Sequence, residues 1–249
     1  VPKQETGTKS ISFSLVDDDF RPSVLAAINS AAKQNPLAAI RVYCTKNVER
    51  TYASRTSDVL FFDLASFYDT LDCTDPQIVT RLMRPVVLMT HGGWYIDAFD
   101  TITLRTLPEP SEFIIGEECW NGKRWCAGIV GSHPSSPLLN QWLSLMQLIP
   151  KNEWNHWTDQ DICNRLLQTT SEQFSSLSTY VFNWVSESGF TGEIRLSEQQ
   201  IRWCQENAWV LHYFGRGAFG VSYKQMSLSQ LEEASDLCGW IPQLILNNQ

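Results

Sequence analysis

Apolar and polar positions alternate from Ser10 to Val16 (S-I-S-F-S-L-V) and give way to the acidic run Asp17-Asp18-Asp19. Period-two alternation predicts a strand, and that run brings carboxylates to its carboxyl end. A helix is predicted next: Pro22 suits a first turn, and Val24, Leu25, Ile28 and Ala32 form an apolar stripe. Ala39 to Cys44 and Val59 to Leu64 read as two further strands. Strand, helix, strand and a second short strand open an α/β sheet of nucleotide-binding topology.

Gln77 to Thr90 predicts a helix through Ile78, Leu82 and Val86, with Pro85 expected to kink it. His91-Gly92-Gly93 ends that helix, and Trp94-Tyr95-Ile96 begins a strand entering Asp97. Pro108 and Pro110 mark a loop, after which Phe113 to Ile115 and Ala127 to Val130 read as strands. Ser136-Pro137 opens a helix carrying Leu138, Leu139, Trp142, Leu145 and Met146. Asp159 to Leu167 is expected to be helical, and Ala208 to Tyr213 to be a late strand that includes His212. Residues 170–205 mix Ser, Thr and aromatics without a readable period; an acceptor-side loop and plain packing are both open.

The chain has 249 residues, enough for one domain with a proper core. A net charge of -8 with no Lys/Arg run argues against nucleic acid as a partner. An acidic protein can still bind a nucleotide when a divalent cation neutralises the diphosphate. Seven cysteines are widely spaced without a C-x-x-C pair, which argues against structural zinc, and the odd count argues against a fully paired disulfide framework. That pattern favours a reducing compartment, cytoplasmic or at the cytoplasmic membrane face. No apolar run approaches the ~18 residues of a membrane span. The chain begins at Val1, so a preceding anchor is compatible with it, and with such an anchor the Golgi lumen becomes the expected location.

Four constellations can carry chemistry. Gly92-Gly93-Trp94-Tyr95-Ile96-Asp97-Ala98-Phe99-Asp100 pairs a tight glycine turn, able to approach a ligand closely, with two acids for Mg²⁺ or Mn²⁺. Its alternative is a helix stop followed by a solvated acidic turn. Asp17-Asp18-Asp19-Phe20 offers carboxylates to a base or ribose and a ring to stack on the base, or else an acidic cluster favoured by a helix dipole. Thr158-Asp159-Gln160-Asp161 suits a capped helix start, a reading that leaves Gln160 and Asn164 unexplained. His212-Tyr213-Phe214-Gly215-Arg216-Gly217 offers an imidazole to a metal and a guanidinium to a phosphate, or a structural histidine.

The segment Arg84 to Asp97 (R-P-V-V-L-M-T-H-G-G-W-Y-I-D) resembles the sugar-binding region of DXD-motif glycosyltransferases, among them glycosyltransferase family 32 and the α-1,4-glycosyltransferases. Asp17 to Phe20, D-Q-D-I-C-N at Asp159 to Asn164, and His212 to Gly215 are similar to flanking motifs of glycosyltransferase family 8. The resemblance spans about residues 10–220 in order. It implies a GT-A fold, an α/β/α sandwich on a Rossmann-like mixed sheet, over a single domain, 1–249. Residues of about 10–130 would form the nucleotide-binding half, and 131–249 the acceptor-side half with C-terminal helices. It implies sugar transfer from a nucleotide sugar, UDP being favoured, to a hydroxyl of a glycan, glycolipid or protein, with retention and with Mn²⁺ or Mg²⁺. A non-catalytic sugar-nucleotide-binding relative and an inverting transferase are the alternatives.

Carried over by position, Asp17 and Asp19 would hold base and ribose, and Phe20 would stack on the base. Arg84, with Gly92, Gly93 and Tyr95 of the same segment, would serve the donor; Asp97, Asp100 and His212 would hold the metal. Asp159 would hydrogen-bond the donor sugar, Gln160 would sit by the anomeric carbon, and Gly215 and Arg216 would meet the diphosphate. Three departures stand out, one being Arg216-Gly217-Ala218 where family 8 usually has a lysine-proline-tryptophan run. The second acid of the motif falls at Asp100, where the family places it at the position of Phe99, and Arg81 replaces an aspartate usual three residues before the arginine.

Overall fold

A computed structural model of the protein describes residues 9–16, 21–56, 58–98, 101–117, 125–154, 156–177 and 206–212, with the backbone alone of Lys151, Asp159, Leu177, Leu211 and His212. Its strands are β1 (Ser10–Leu15), β2 (Ala39–Cys44), β3 (Val59–Asp63), β4 (Gly93–Ile96), β5 (Thr101–Thr103), β6 (Ile114–Glu117), β7 (Trp125–Ser132), β8 (Ser175–Leu177) and β9 (Val210–His212). The helices are α1 (Pro22–Gln34), α2 (Lys46–Tyr52), α3 (Tyr68–Leu71), α4 (Pro76–His91), α5 (Pro137–Gln147) and α6 (Asp159–Thr169).

Seven strands form one sheet in the order β3-β2-β1-β4-β7-β6-β8, and β5 pairs with β9 in a second, two-stranded sheet. In the large sheet β7 alone runs against its neighbours. Alternation divides the core between the two faces. Ile11, Phe13 and Leu15 of β1 pack with Ile40 and Val42 of β2 and Trp94 and Ile96 of β4 beneath α1 and α2. On the other face Tyr43, Tyr95, Ile115 and Val130 meet α4, α5 and α6. This is an α/β/α sandwich on a mixed sheet, as the sequence leads one to expect.

Local chemistry accounts for the helix ends. Asp75 caps α4 by accepting from Gln77 N at 2.9 Å, and Pro76 takes the first helical position, where no N–H is needed. The helix runs on through Pro85 and stops at Gly92, whose φ of 62° is a left-handed value. In α1 the buried stripe is Val24, Ala27, Ile28 and Ala31, while Leu25 and Ala32 lie at its margin. The stripe is rotated from the expected one because alanines let the helix sit close to the sheet.

The winding reverses between β1 and β4. From β1 the chain passes through α1 to β2 and through α2 to β3, then returns through α4 to place β4 on the other side of β1. The carboxyl ends of β1 and β4 therefore flank a topological switch point, where open α/β sheets bind ligands.

Candidate functional site

Asp97 directly follows β4 at that switch point. Its N–H donates to Gly128 O of β7 at 2.8 Å, and its carbonyl accepts from the Thr101 hydroxyl. Both bonds fix the chain on either side of residues 98–100. The carboxylate is half-buried and takes a 2.6 Å bond from Nη2 of Arg84. Arg84 is nearly closed off, its side chain 7% exposed against 36% for Asp97. Its guanidinium lies 4.8 Å above the centre of the Tyr95 ring, a cation–π distance.

Arg84, Tyr95 and Asp97 therefore act as one unit. Tyr95, fully buried, supports the guanidinium from below, and the guanidinium orients the carboxylate. Tyr95 thus supports the site from beneath, and Arg84 directs charge at Asp97.

Gly92 and Gly93 have a packing role. Gly93 opens β4 at the end opposite Asp97, roughly 13 Å away at strand rise, and Gly92 directly precedes it. A Cβ at Gly93, whose φ is +80°, would lie 2.1 Å from Ser10 O, and one at Gly92 would lie 2.7 Å from Pro134 Cδ. The pair is required by the close approach of β1 and of the chain after β7.

The first turn of α6 faces the same edge. Thr158 and Asp161 form a reciprocal capping box, with Asp161 N to Thr158 Oγ1 at 3.1 Å and Thr158 Oγ1 to Asp161 Oδ2 at 2.6 Å. Asp161 is thus committed to the helix end. Asn164, buried, clamps α6 to the start of β7 by bonding both Trp125 N and Trp125 O at 2.7 Å, and its amide also donates to Gln160 O at 2.9 Å. This is the structural reason for Asn164 that the motif alone did not supply. Trp125 and Gly128 are three residues apart on β7, roughly 10 Å. Asp97 and the turn carrying Asp159 and Gln160 so attach to the same half of one strand.

In the small sheet the register pairs the backbone of His212 with Thr101, just after residues 98–100. Carboxylates are the ligands that suit Mn²⁺ or Mg²⁺. Among the described residues, no group of three His, Cys, Asp or Glu side chains gathers as a metal site. Asp17, Asp19, Phe20, Asp100, Gly215 and Arg216 lie outside the described residues, as do the side chains of Asp159 and His212. What the sequence reading missed is the dependence of Asp97 on Arg84, thirteen residues earlier, a link carried by helix-on-sheet packing and by no local pattern.

No protein-family model matches the chain, and no curated protein matches it in sequence. Its fold matches solved glycosyltransferases. The bifunctional glycosyltransferase WbbM superposes with a TM-score of 0.60 at 14% identity, over 99% of this chain and 51% of WbbM. The galactosyltransferase LgtC, solved with donor and acceptor sugar analogues, gives 0.53 at 14% identity over 95% of each chain. GlyE of Streptococcus pneumoniae TIGR4 gives 0.52 at 13% identity, over 96% of this chain and 61% of GlyE. The chain thus spans about half of WbbM and under two thirds of GlyE. The architecture is that of GT-A glycosyltransferases.

Proposed function

We propose that this chain is a glycosyltransferase that binds a nucleotide sugar across the carboxyl ends of β1 and β4 and transfers the sugar to a hydroxyl of a glycan, glycolipid or protein. The observation that carries this reading is Asp97, held by the buried Arg84 at the switch point of a fold shared with LgtC along nearly its full length.

Asp97, Asp100 and His212 are the residues that would hold Mn²⁺ or Mg²⁺, and a bound ion would neutralise charge on the diphosphate. Asp17 and Asp19 serve the base and ribose, Phe20 stacks on the base, and Asp159 takes a hydroxyl of the donor sugar. Gln160 stands beside the anomeric carbon; one LgtC structure of the same fold is of an active-site glutamine-to-glutamate mutant. Gly215 and Arg216 meet the diphosphate. Arg84 keeps Asp97 oriented, so that its carboxylate need not be reorganised when the donor arrives.

The reaction we favour retains anomeric configuration, with UDP as the leaving nucleotide. The acceptor oxygen forms its bond to the anomeric carbon on the face from which the diphosphate departs. The anomeric carbon–oxygen bond breaks onto the β-phosphate, whose oxygen takes the acceptor proton. Positioning and fixed charge supply most of the acceleration in such a site.

The test is a thermal-shift screen of nucleotide sugars with and without manganese. Stabilisation by a UDP-sugar that disappears with EDTA supports the proposal. Failure of every nucleotide and nucleotide sugar to shift the melting point at millimolar concentration would leave it without a donor site.

A further inference from the structure

We propose that the outer edge of β3 is a docking site for an extended, basic segment of a partner protein, added to the sheet as a further strand. The inference does not rest on the glycosyltransferase reading. Among the described residues β3 ends the large sheet and pairs with β2 alone. None of its five residues is buried, and Leu60 and Phe62 are 50% and 37% exposed, so the edge is open to solvent.

Exposed edges of this kind are usually blunted by a lysine, a proline or a bulge. β3 has none of these. Its sequence is V-L-F-F-D, and its register with β2 runs unbroken from Val59 to Asp63. The outward row of N–H and C=O groups is therefore suited to pairing with another extended chain. Alternation sends Leu60 and Phe62 to one face. There Phe62 stacks on Tyr43 with ring centres 5.2 Å apart, and Phe67 meets Tyr43 edge-on at 5.5 Å. Tyr43 belongs to the core beneath α4, so the exposed pair carries that core out to the rim of the sheet. A strand added there, with apolar side chains on the same face, extends the core by one row.

Charge selects the occupant. From Asp58 to Asp75 the chain carries five acids, Asp58, Asp63, Asp69, Asp72 and Asp75, and no Lys, Arg or His. All five are exposed, and Asp58 and Asp63 bracket the apolar row. Asp63 and Asp75 each accept a backbone N–H at 2.9 Å, which orients them without cancelling their charge. A segment with Lys or Arg on either side of alternating apolar residues answers both the acids and the apolar face. A second copy of this chain does not. Antiparallel pairing of two β3 edges brings Asp58 of one copy to Asp63 of the other, and like charges set opposite in a ladder destabilise it. The edge lies three strand spacings from β4, roughly 14 Å, so a docked segment leaves the carboxyl end of β4 open.

The test is fluorescence anisotropy of a labelled, capped peptide, Lys-Arg-Val-Thr-Val-Thr-Val-Arg-Lys, titrated with the full chain. Binding is expected to weaken about tenfold when Glu replaces each Lys and Arg, and to be lost when the central residues are N-methylated and cannot donate to the edge. Leu60→Lys, which puts a charge into the apolar row, should also weaken it about tenfold. Asp58→Asn with Asp63→Asn should lower the basic peptide to the affinity of a version with Ser at the basic positions. Asparagine tolerates the φ of 57° at Asp58 and can keep the bond from Ala65 N at Asp63, and circular dichroism should confirm that both variants fold. No binding of the basic peptide at millimolar concentration overturns the proposal. Equal affinity for the Glu peptide, or binding that survives N-methylation, Leu60→Lys or the double asparagine variant, overturns it as well. A dimer in light scattering that Leu60→Lys dissociates would assign the edge to a second copy and also overturn it.

Discussion

Replacing Asp97 by asparagine should cost stability as well as activity, because Arg84 is buried behind it. The substitution keeps the shape and removes the charge, leaving a guanidinium that is 7% exposed facing a neutral amide. Breaking a fully buried pair from one side costs about 3–5 kcal/mol. Asp97 is 36% exposed, so water screens the interaction and about half of that range, roughly 1.5–3 kcal/mol, is expected. For a chain of this size the melting point should fall by about 4–10 °C. Arg84→Met should cost less, about 1–2 kcal/mol, because the freed carboxylate reaches water while the contact over Tyr95 is lost. The double variant Arg84→Met/Asp97→Asn should be no less stable than Asp97→Asn alone. Urea unfolding of the four proteins gives the coupling energy directly. Strict additivity, within about 0.5 kcal/mol, or an unchanged melting point in Asp97→Asn, would refute the claim that the two side chains work as a unit.

Further predictions concern the frame around the site. Gly93→Ala should lose well over 3 kcal/mol, visible as a melting point lowered by about 10 °C or as insoluble protein, since its Cβ would lie 2.1 Å from Ser10 O at a φ of +80°. Asn164→Leu should cost about 2–4 kcal/mol in urea unfolding, because it strips both partners from the buried backbone of Trp125. Burial pushes the Tyr43 hydroxyl up to about 12 against a smaller opposing pull from Arg41, and burial together with Glu49 and Asp63 pushes the Cys44 thiol up to about 12. The folded state then keeps protons that the unfolded chain releases. Their contribution is fully present below about pH 8.5–9 and is lost as pH rises toward 12, at about 1.4 kcal/mol per pH unit for each group. Tyr43→Phe should flatten that decline above pH 10 in a melting-point series; an identical slope would remove Tyr43 from the account.

Strands β1 and β2 were legible because alternation and β-branched or aromatic runs reflect their burial directly, and β3 through its apolar run alone, since none of its residues is buried. β5 and β8 were missed, since three residues are too few to show a period. The α1 stripe was misplaced because hydrophobicity ranks Leu25 above Ala27 and Ala31, whereas close helix–sheet packing favours the small side chains. At the site, Asp97 was visible as an acid following a strand, and the cap at Thr158 as a helix start. The meaning of Gly92 and Gly93 was not visible, because the crowding that demands glycine comes from Ser10 and Pro134, distant in sequence. The same holds for Arg84, whose partner is fixed only once α4 lies on β4.

The central claim is that the carboxyl edge of β1 and β4 is a donor site organised by Asp97. Its most direct test is release of UDP from a UDP-sugar by the purified chain, measured with Mn²⁺ for the wild type and for Asp97→Asn checked to be folded. The account predicts turnover by the wild type that EDTA abolishes and that falls at least a hundredfold in Asp97→Asn. Equal release by the two proteins, or none by the wild type with any UDP-sugar in the presence of acceptor glycans, would contradict it.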